Sequence, residues 1–398
     1  MSTRLKENYK MTVYACFIGY IVQAIVNNFV PLLFLTFQSQ YNIPLSQITL
    51  LVTINFVVQL LVDLVCIKFV DRIGYRISLI IAHIFAAMGL ISLGFLPEIM
   101  PNPFTGTLIA VIMYAIGGGL LEVLVSPVVE ACPTDNKEAA MSLLHSFYCW
   151  GHVGVVLLST LFFAIFGIDN WKIVACIWSI IPIFNIFMFS KVPIVSLIAE
   201  GEESIPVKKL FSMKLFWVFM LMMVCSGASE QAVSQWASTF AEQGLGISKT
   251  LGDLAGPMSF AIFMGLSRLW YGKYGENINL DRFMVGSGLL CIIAYLCISL
   301  VPNPIIGIIG CWICGLSVGI MWPGSFSKAA AGIKNGGTAM FALLALAGDL
   351  GCSGGPTLAG LVAGHFDDNL RMGILFALVF PIFLIVGIWM AKCLRKSD

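Results

Sequence analysis

The chain has 398 residues, of which 59% are hydrophobic and 11% charged, with a mean hydropathy of +0.94. Soluble domains carry roughly 45–50% apolar and about 25% charged residues, so a water-soluble fold of this length is excluded. The net charge of +1 arises from Lys and Arg dispersed in small groups without a basic stripe, which argues for no nucleic-acid partner.

A hydrocarbon core about 30 Å thick takes roughly 20 apolar helical residues to cross. Runs of that length occupy 11–36, 46–70, 77–96, 104–130, 139–167 and 171–190. After a polar stretch, Lys191 to Ser212, the pattern resumes at 213–241, 251–274, 281–300, 304–329, 337–364 and 371–394. The sequence therefore predicts an all-α membrane protein of twelve transmembrane helices, spans 1 to 12, in two six-helix bundles at 1–190 and 213–398 with a linker at 191–212. Alternate loops test that count, because cytoplasmic loops are enriched in Lys and Arg. All but three of the 22 basic residues, namely Lys172, Lys249 and Arg371, fall on one side with both termini and the linker. A multi-pass protein of the cell (inner, plasma) membrane with cytoplasmic termini is expected.

Met1 to Lys10 is basic, but the following run is long enough to span and has no small-residue cleavage site, so it reads as a retained first helix. The 12 Cys lie in or beside apolar helices without metal-type spacing, which points to packing and to no metal site. Nothing in the sequence calls for a cofactor.

The two bundles are in register. Ile43-Pro-Leu-Ser-Gln47, entering span 2, matches Leu245-Gly-Ile-Ser-Lys249, entering span 8, at an offset of 202, with Ser46 and Ser248 both placed to N-cap. Asp71-Arg-Ile-Gly74 matches Gly272-Lys-Tyr-Gly275 at 201. Gly119-Leu-Leu-Glu-Val-Leu-Val-Ser-Pro127 matches Gly315-Leu-Ser-Val-Gly-Ile-Met-Trp-Pro323 at 196, and Gly151-His-Val-Gly154 matches Gly348-Asp-Leu-Gly351 at 197. Four matches in chain order imply a duplication, a common plan among transporters.

At these residues the chain resembles the major facilitator superfamily over essentially its whole length. Phe69-Val-Asp-Arg-Ile-Gly-Tyr-Arg76 is similar to the family's signature loop between helices 2 and 3, with Ile67 where Gly is usual. The resemblance implies that Asp71, Arg72 and Arg76 gate the cytoplasmic face, the alternative being purely topogenic charge. The repeat adds Lys273 to that gate, with Arg268 toward the same end of span 8. Gly117-Gly-Gly-Leu-Leu-Glu122, followed by Ser126-Pro127 and by His145-Ser-Phe-Tyr148, resembles the fucose:proton symporter branch. Ser126 replaces a frequent Asn, and Asn27 and Asn28 stand where that carrier has an acid in its first helix, so fucose itself is not implied.

An acid in the hydrocarbon layer is costly unless neutralised, paired or hydrated, which makes intramembrane acids functional candidates. Glu122 lies mid-span in span 4 beside Gly117, Gly118 and Gly119, and the resemblance implies that it takes up the coupling proton; the alternative is a hydrogen-bonded structural Glu. Glu230 in span 7 is placed opposite Asn28 by the 202 offset, and Asp349 in span 11 opposite His152 by the 197 offset. These four-fold candidates for proton coupling are Glu122, Glu230, Asp349 and His152. Asn55, Gln59 and Asp63 recur every four residues on one face of span 2, and His145, Tyr148 and His152 form a similar stripe on span 5. Such stripes face protein or water, as cavity lining or as interhelical contacts. Candidate solute contacts are Asn27, Asn28, Asn55, Gln59, His145, Tyr148 and Gln231, with Trp150, Trp236 and Trp322 offering rings that stack on a sugar. His83 on span 3 reads as structural.

Arg268 is read as cytoplasmic, so no Lys or Arg falls deep within a helix, which favours neutral or cationic solutes over anions. Proton-coupled symport of a sugar-like solute by a monomer in the lipid bilayer is the leading expectation, with proton or Na⁺ as coupling ion. Proton-coupled efflux of cationic or amphiphilic compounds is the alternative. An intramembrane enzyme has little support: His-Glu-x-x-His is absent, and Ala347-Gly-Asp-Leu350 lacks the Gly expected two positions before a proteolytic acid.

Overall fold

The computed structural model describes every residue except 1, 134–136, 195–204, 245, 275–277, 334–335 and 398. The side chains of Asp71, Arg72 and Lys273, three of the expected gate residues, lie outside the described residues. The chain divides into two compact units, Met1–Glu200 and Gly201–Asp398, and no strand occurs among the described residues.

In the first unit the long helices are α1 (Tyr9–Tyr41), α2 (Leu45–Ile73), α3 (Tyr75–Ile99), α4 (Pro103–Ala131), α5 (Lys137–Phe166) and α6 (Trp171–Lys191). In the second they are α7 (Lys214–Gln243), α8 (Ser259–Tyr274), α9 (Leu280–Leu300), α10 (Pro304–Ala329), α11 (Gly337–His365) and α12 (Leu370–Leu394). Ten of these runs are long and apolar enough to cross a membrane; α8 and α11 fill the places of spans 8 and 11.

Local chemistry explains the interruptions. Pro31 removes an amide donor from α1, and Val30–Leu33 tightens into a 3₁₀ turn. The chain then leaves α1 through Asn42, left-handed at φ +54, a conformation that Asn tolerates. Pro257 does the same to the start of α8, where Leu254–Met258 widens into a π turn. The carbonyls loosened there are taken up by Trp312 Nε1, 2.6 Å from Ala255 O, and by Ser259 Oγ, 2.9 Å from Leu254 O.

Ser46 does not cap α2. Pro44 holds the cap position at φ −69 and ψ 159, which leaves Ser46 inside the first turn. Ser248 does stand at a helix start, but its side chain makes no capping bond. The caps that do repeat are Asn102 and Asn303, each followed by Pro. Asn102 Oδ1 accepts from Phe104 N at 3.0 Å, and Asn303 Oδ1 from Ile305 N at 2.9 Å, starting α4 and α10 alike.

A second repeated feature is steric. A Cβ on Gly119 of α4 would lie 2.9 Å from Gln59 Cα of α2, and one on Gly315 of α10 would lie 2.3 Å from Phe260 O of α8. Gln59 and Phe260 are 201 apart and the glycines 196 apart, so the same backbone crossing occurs in each unit at aligned positions. The three basic residues outside the charge segregation each have a local partner. Lys172 pairs with Glu98, Lys249 with Glu242 at 3.3 Å and Asp253 at 3.2 Å, and Arg371 donates to Val301 O at 2.7 Å.

Replacing Gly315 by Ala forces apart two backbones and is expected to lower stability by about 1–3 kcal/mol. Gly154, whose Cβ would meet nothing within 4 Å, is the control: its Ala variant keeps or slightly raises the melting temperature of the purified protein.

Candidate functional site

Within the first unit, α1 is the hub of a polar seam. Its residues Tyr20, Gln23 and Asn27, three and four positions apart, share one face. Toward α4, Gln23 Nε2 donates to Glu122 Oε2 at 2.7 Å, and the Tyr20 hydroxyl lies 2.8 Å from Ser126 Oγ. Toward α2, Asn27 Oδ1 accepts from Gln59 Nε2 at 2.9 Å and from Asn55 Nδ2 at 3.3 Å. Asn28, rotated by one residue, turns to α5 and donates to the Tyr148 hydroxyl at 3.3 Å, sharing its amide nitrogen with Ala24 O at 2.9 Å. His145 stands edge-on to the Tyr20 ring, centroids 5.2 Å apart.

The glycines beside Glu122 make this convergence possible. A Cβ on Gly117 would sit 2.6 Å from Ala82 O of α3, and one on Gly118 would sit 3.0 Å from Val26 Cγ1 and 3.5 Å from Gln59 Oε1. Three helices thus close on α4 within about a turn and a half of Glu122. Glu122 itself is partly exposed, whereas Gln23, Asn27, Asn28, Asn55 and Gln59 are buried. The seam therefore brings together Glu122, Asn27, Asn28, Asn55, Gln59, His145 and Tyr148. Tyr20 and Gln23 escaped the sequence reading, although their spacing from Asn27 is the helical signal that was applied to α2 and α5.

The second unit carries a different network. Arg268 reaches inward from α8 to Glu230 of α7, Nη2 to Oε2 3.3 Å, with both side chains 9% exposed. Its Nε donates to Gly319 O at 3.2 Å, where α10 is interrupted at Gly319 and Ile320. Glu230 Oε1 accepts from Gln231 Nε2 at 3.3 Å, and Gln231 Oε1 from Gln235 Nε2 at 3.0 Å. Arg268 is thus engaged inside its own unit, and the expectation of no interior cation is corrected. A guanidinium on a long stem reaches well past its own Cα, and the carboxylate of Glu230 draws it inward.

The remaining candidates are spread out. Arg76 donates to Phe189 O at 2.7 Å and Val192 O at 2.8 Å, holding the end of α6 by its last carbonyls. Trp236 is fully enclosed, and its indole N–H is bonded to Pro356 O at 3.0 Å, which braces α7 on α11. Trp150 is 38% exposed. Trp322 lies over Gly348, where a Cβ would come within 2.2 Å of the ring, beside buried Asp349. His152 is buried one turn beyond Tyr148. His83 is structural: Nδ1 meets Leu79 O at 2.7 Å and Nε2 meets Asn185 Nδ2 at 2.8 Å. Among the described residues no group of His, Cys, Asp and Glu is arranged to hold a metal ion.

The sequence model of the Major Facilitator Superfamily matches residues 15–356. Among solved structures, the E. coli fucose:proton symporter is similar with a TM-score of 0.68 at 14% identity, over 95% of this chain and 98% of that one. A D-xylose–proton symporter gives 0.76 at 12% identity, over 98% and 97%. A bacterial homologue of the human lysosomal transporter Spinster gives 0.74 at 14% identity, over 98% of each chain. No curated protein sequence matches significantly.

Removing one partner of the interior ion pair leaves a buried charge, so Arg268→Met is expected to cost about 3–5 kcal/mol. The double variant Arg268→Met, Glu230→Gln recovers most of that loss in thermal unfolding, which separates the pair from simple loss of packing.

Proposed function

This chain belongs to the major facilitator superfamily, and we propose that within it the protein is a secondary active transporter coupling proton movement to symport of a neutral, sugar-like solute. The observation that carries the reading is Glu122, mid-span on α4, hydrogen-bonded at 2.7 Å to the uncharged amide of Gln23. Around it the seam presents amides and hydroxyls, groups that recognise sugar hydroxyls. Two of the similar solved structures are named as proton symporters of sugars, which supports the same solute class.

In this reading Glu122 carries the coupling proton, with Asp349, His152 and Glu230 as further titratable groups. The proposed solute contacts in the first unit are Asn27, Asn28, Asn55, Gln59, His145 and Tyr148; Gln231 and Trp322 are the candidates in the second. The proposed organisation is a monomer of bundles 1–190 and 213–398 with a linker at 191–212 in the plasma (inner) membrane, both termini cytoplasmic, with Asp71, Arg72, Arg76 and Lys273 as gating residues of that face. The interior cation Arg268 is engaged by Glu230, which disfavours an anionic solute. The same pairing counts against proton-coupled efflux of cationic compounds, because it withdraws one of three acids that would serve as counter-charges.

In proteoliposomes, Glu122→Gln is expected to abolish uphill accumulation of sugar under an imposed proton gradient while leaving solute exchange at a measurable rate. Accumulation at the wild-type level would remove Glu122 from coupling. Coupling to Na⁺ would appear as accumulation that follows a sodium gradient at constant pH.

A further inference from the structure

We propose that Gln23 is a positioning residue that converts the protonation state of Glu122 into the hydrogen-bonding pattern offered to the solute. The inference rests on the coupling role of Glu122 proposed above. An ionised carboxylate only accepts hydrogen bonds, whereas a protonated one also donates. Gln23 accordingly turns its amide nitrogen to Glu122 Oε2, at 2.7 Å. Its own Oε1 is left buried without a hydrogen-bond partner, on a side chain 3% exposed. A buried amide oxygen in that condition carries a desolvation cost and calls for an explanation.

Protonation of Glu122 reverses the requirement. Its new O–H finds an acceptor in Gln23 Oε1, and the terminal amide turns over about a broad, two-fold torsion. The NH₂ group then occupies the place of the oxygen. Nitrogen and oxygen fill nearly the same volume, so the rotation needs no repacking. With Glu122 ionised, Gln23 offers the seam an acceptor; with Glu122 protonated, it offers donors. Gln59 Oε1 and Asn55 Oδ1, also buried without partners, belong to the same seam through Asn27, one turn along α1. A solute bonded to this seam therefore meets two different patterns, and that differential affinity couples proton to solute.

The helices packed on α4 bring other titratable groups to the seam. Tyr20 of α1 is bonded to Ser126, and His83 of α3 to Leu79 O and Asn185. Asp63 of α2 is buried one turn beyond Gln59, and α5 contributes His145 and His152. Gln23 bonds Glu122 through a neutral amide, which transmits the proton's presence without itself titrating.

Two measurements test the proposal. The first needs no solute: infrared difference spectra across a pH step, with the Glu122 carboxylic band identified by its loss in Glu122→Gln. In Gln23→Met, of similar length but without either amide group, that band is expected to shift to the frequency of a more weakly bonded acid. An unchanged band overturns the proposal. The second reads affinity at pH 6 and pH 8 for the neutral monosaccharide giving the largest thermal shift in a panel. The wild-type ratio is expected at roughly 5- to 150-fold, collapsing toward unity in Gln23→Met. A variant that keeps the wild-type ratio overturns it. Gln23→Asn, one methylene shorter and still polar, repeats both arms should the Met variant unfold. If no monosaccharide binds, the symport reading fails while the infrared arm still decides the role of Gln23.

Discussion

Hydrocarbon supplies no hydrogen bonds, so every polar side chain inside a membrane bundle must find a partner on a neighbouring helix or border water. That constraint organises both units. In the first, α1 carries polar groups on two faces, and α2, α4 and α5 are each joined to it by at least one side-chain bond. In the second, the Glu230–Arg268 ion pair joins α7 to α8 and is extended along α7 by Gln231 and Gln235. Small residues make these bonds reachable: without Gly117, Gly118 and Gly119 the helices around Glu122 would stand too far apart for a Gln side chain to bridge them.

The architecture was legible because its signals are averaged over many residues. Span lengths follow from bilayer thickness, read over about twenty residues at a time. A single charge such as Lys249 is a local matter, held by Glu242 and Asp253 where the chain turns between α7 and α8. Helix starts were less legible. Ser46 has the right side chain for a cap, but the fixed φ of Pro44 moves the helix start ahead of it.

The site was legible in part, and the failures share a cause. Glu122, Asn55 and Gln59 stand out as polar residues in apolar helices. Gln23 does too, but its meaning depends on which helix lies opposite, and hydropathy does not specify neighbours. Arg268 was misplaced because a sequence reading locates a residue by its Cα, whereas the charge of an Arg lies at the end of a long stem. Trp236 and Trp150 sit in similar surroundings by sequence, yet one ring is enclosed and the other exposed. Orientation about a helix axis separates them, and only packing settles that.

The duplicated scaffold bears unequal chemistry. At the 202 offset Tyr20 and Gln23 correspond to Met222 and Cys225; at 201 Gln59 corresponds to Phe260, and at 196 Glu122 to Val318. The backbone crossing at Gly119 and Gln59 persists at Gly315 and Phe260, while the polar seam built on it is replaced by apolar side chains. Close helix packing thus depends on the glycines and survives loss of the seam. Meanwhile Asn28, which only bonds α5 and its own helix in the first unit, corresponds to Glu230, the acid of the second unit's ion pair. The units have therefore exchanged which face of their leading helix carries an acid's partner or an acid. One acid is thus held by a neutral amide and the other by a buried guanidinium, so that neutralising the carboxylate strands a cation in the second unit and none in the first.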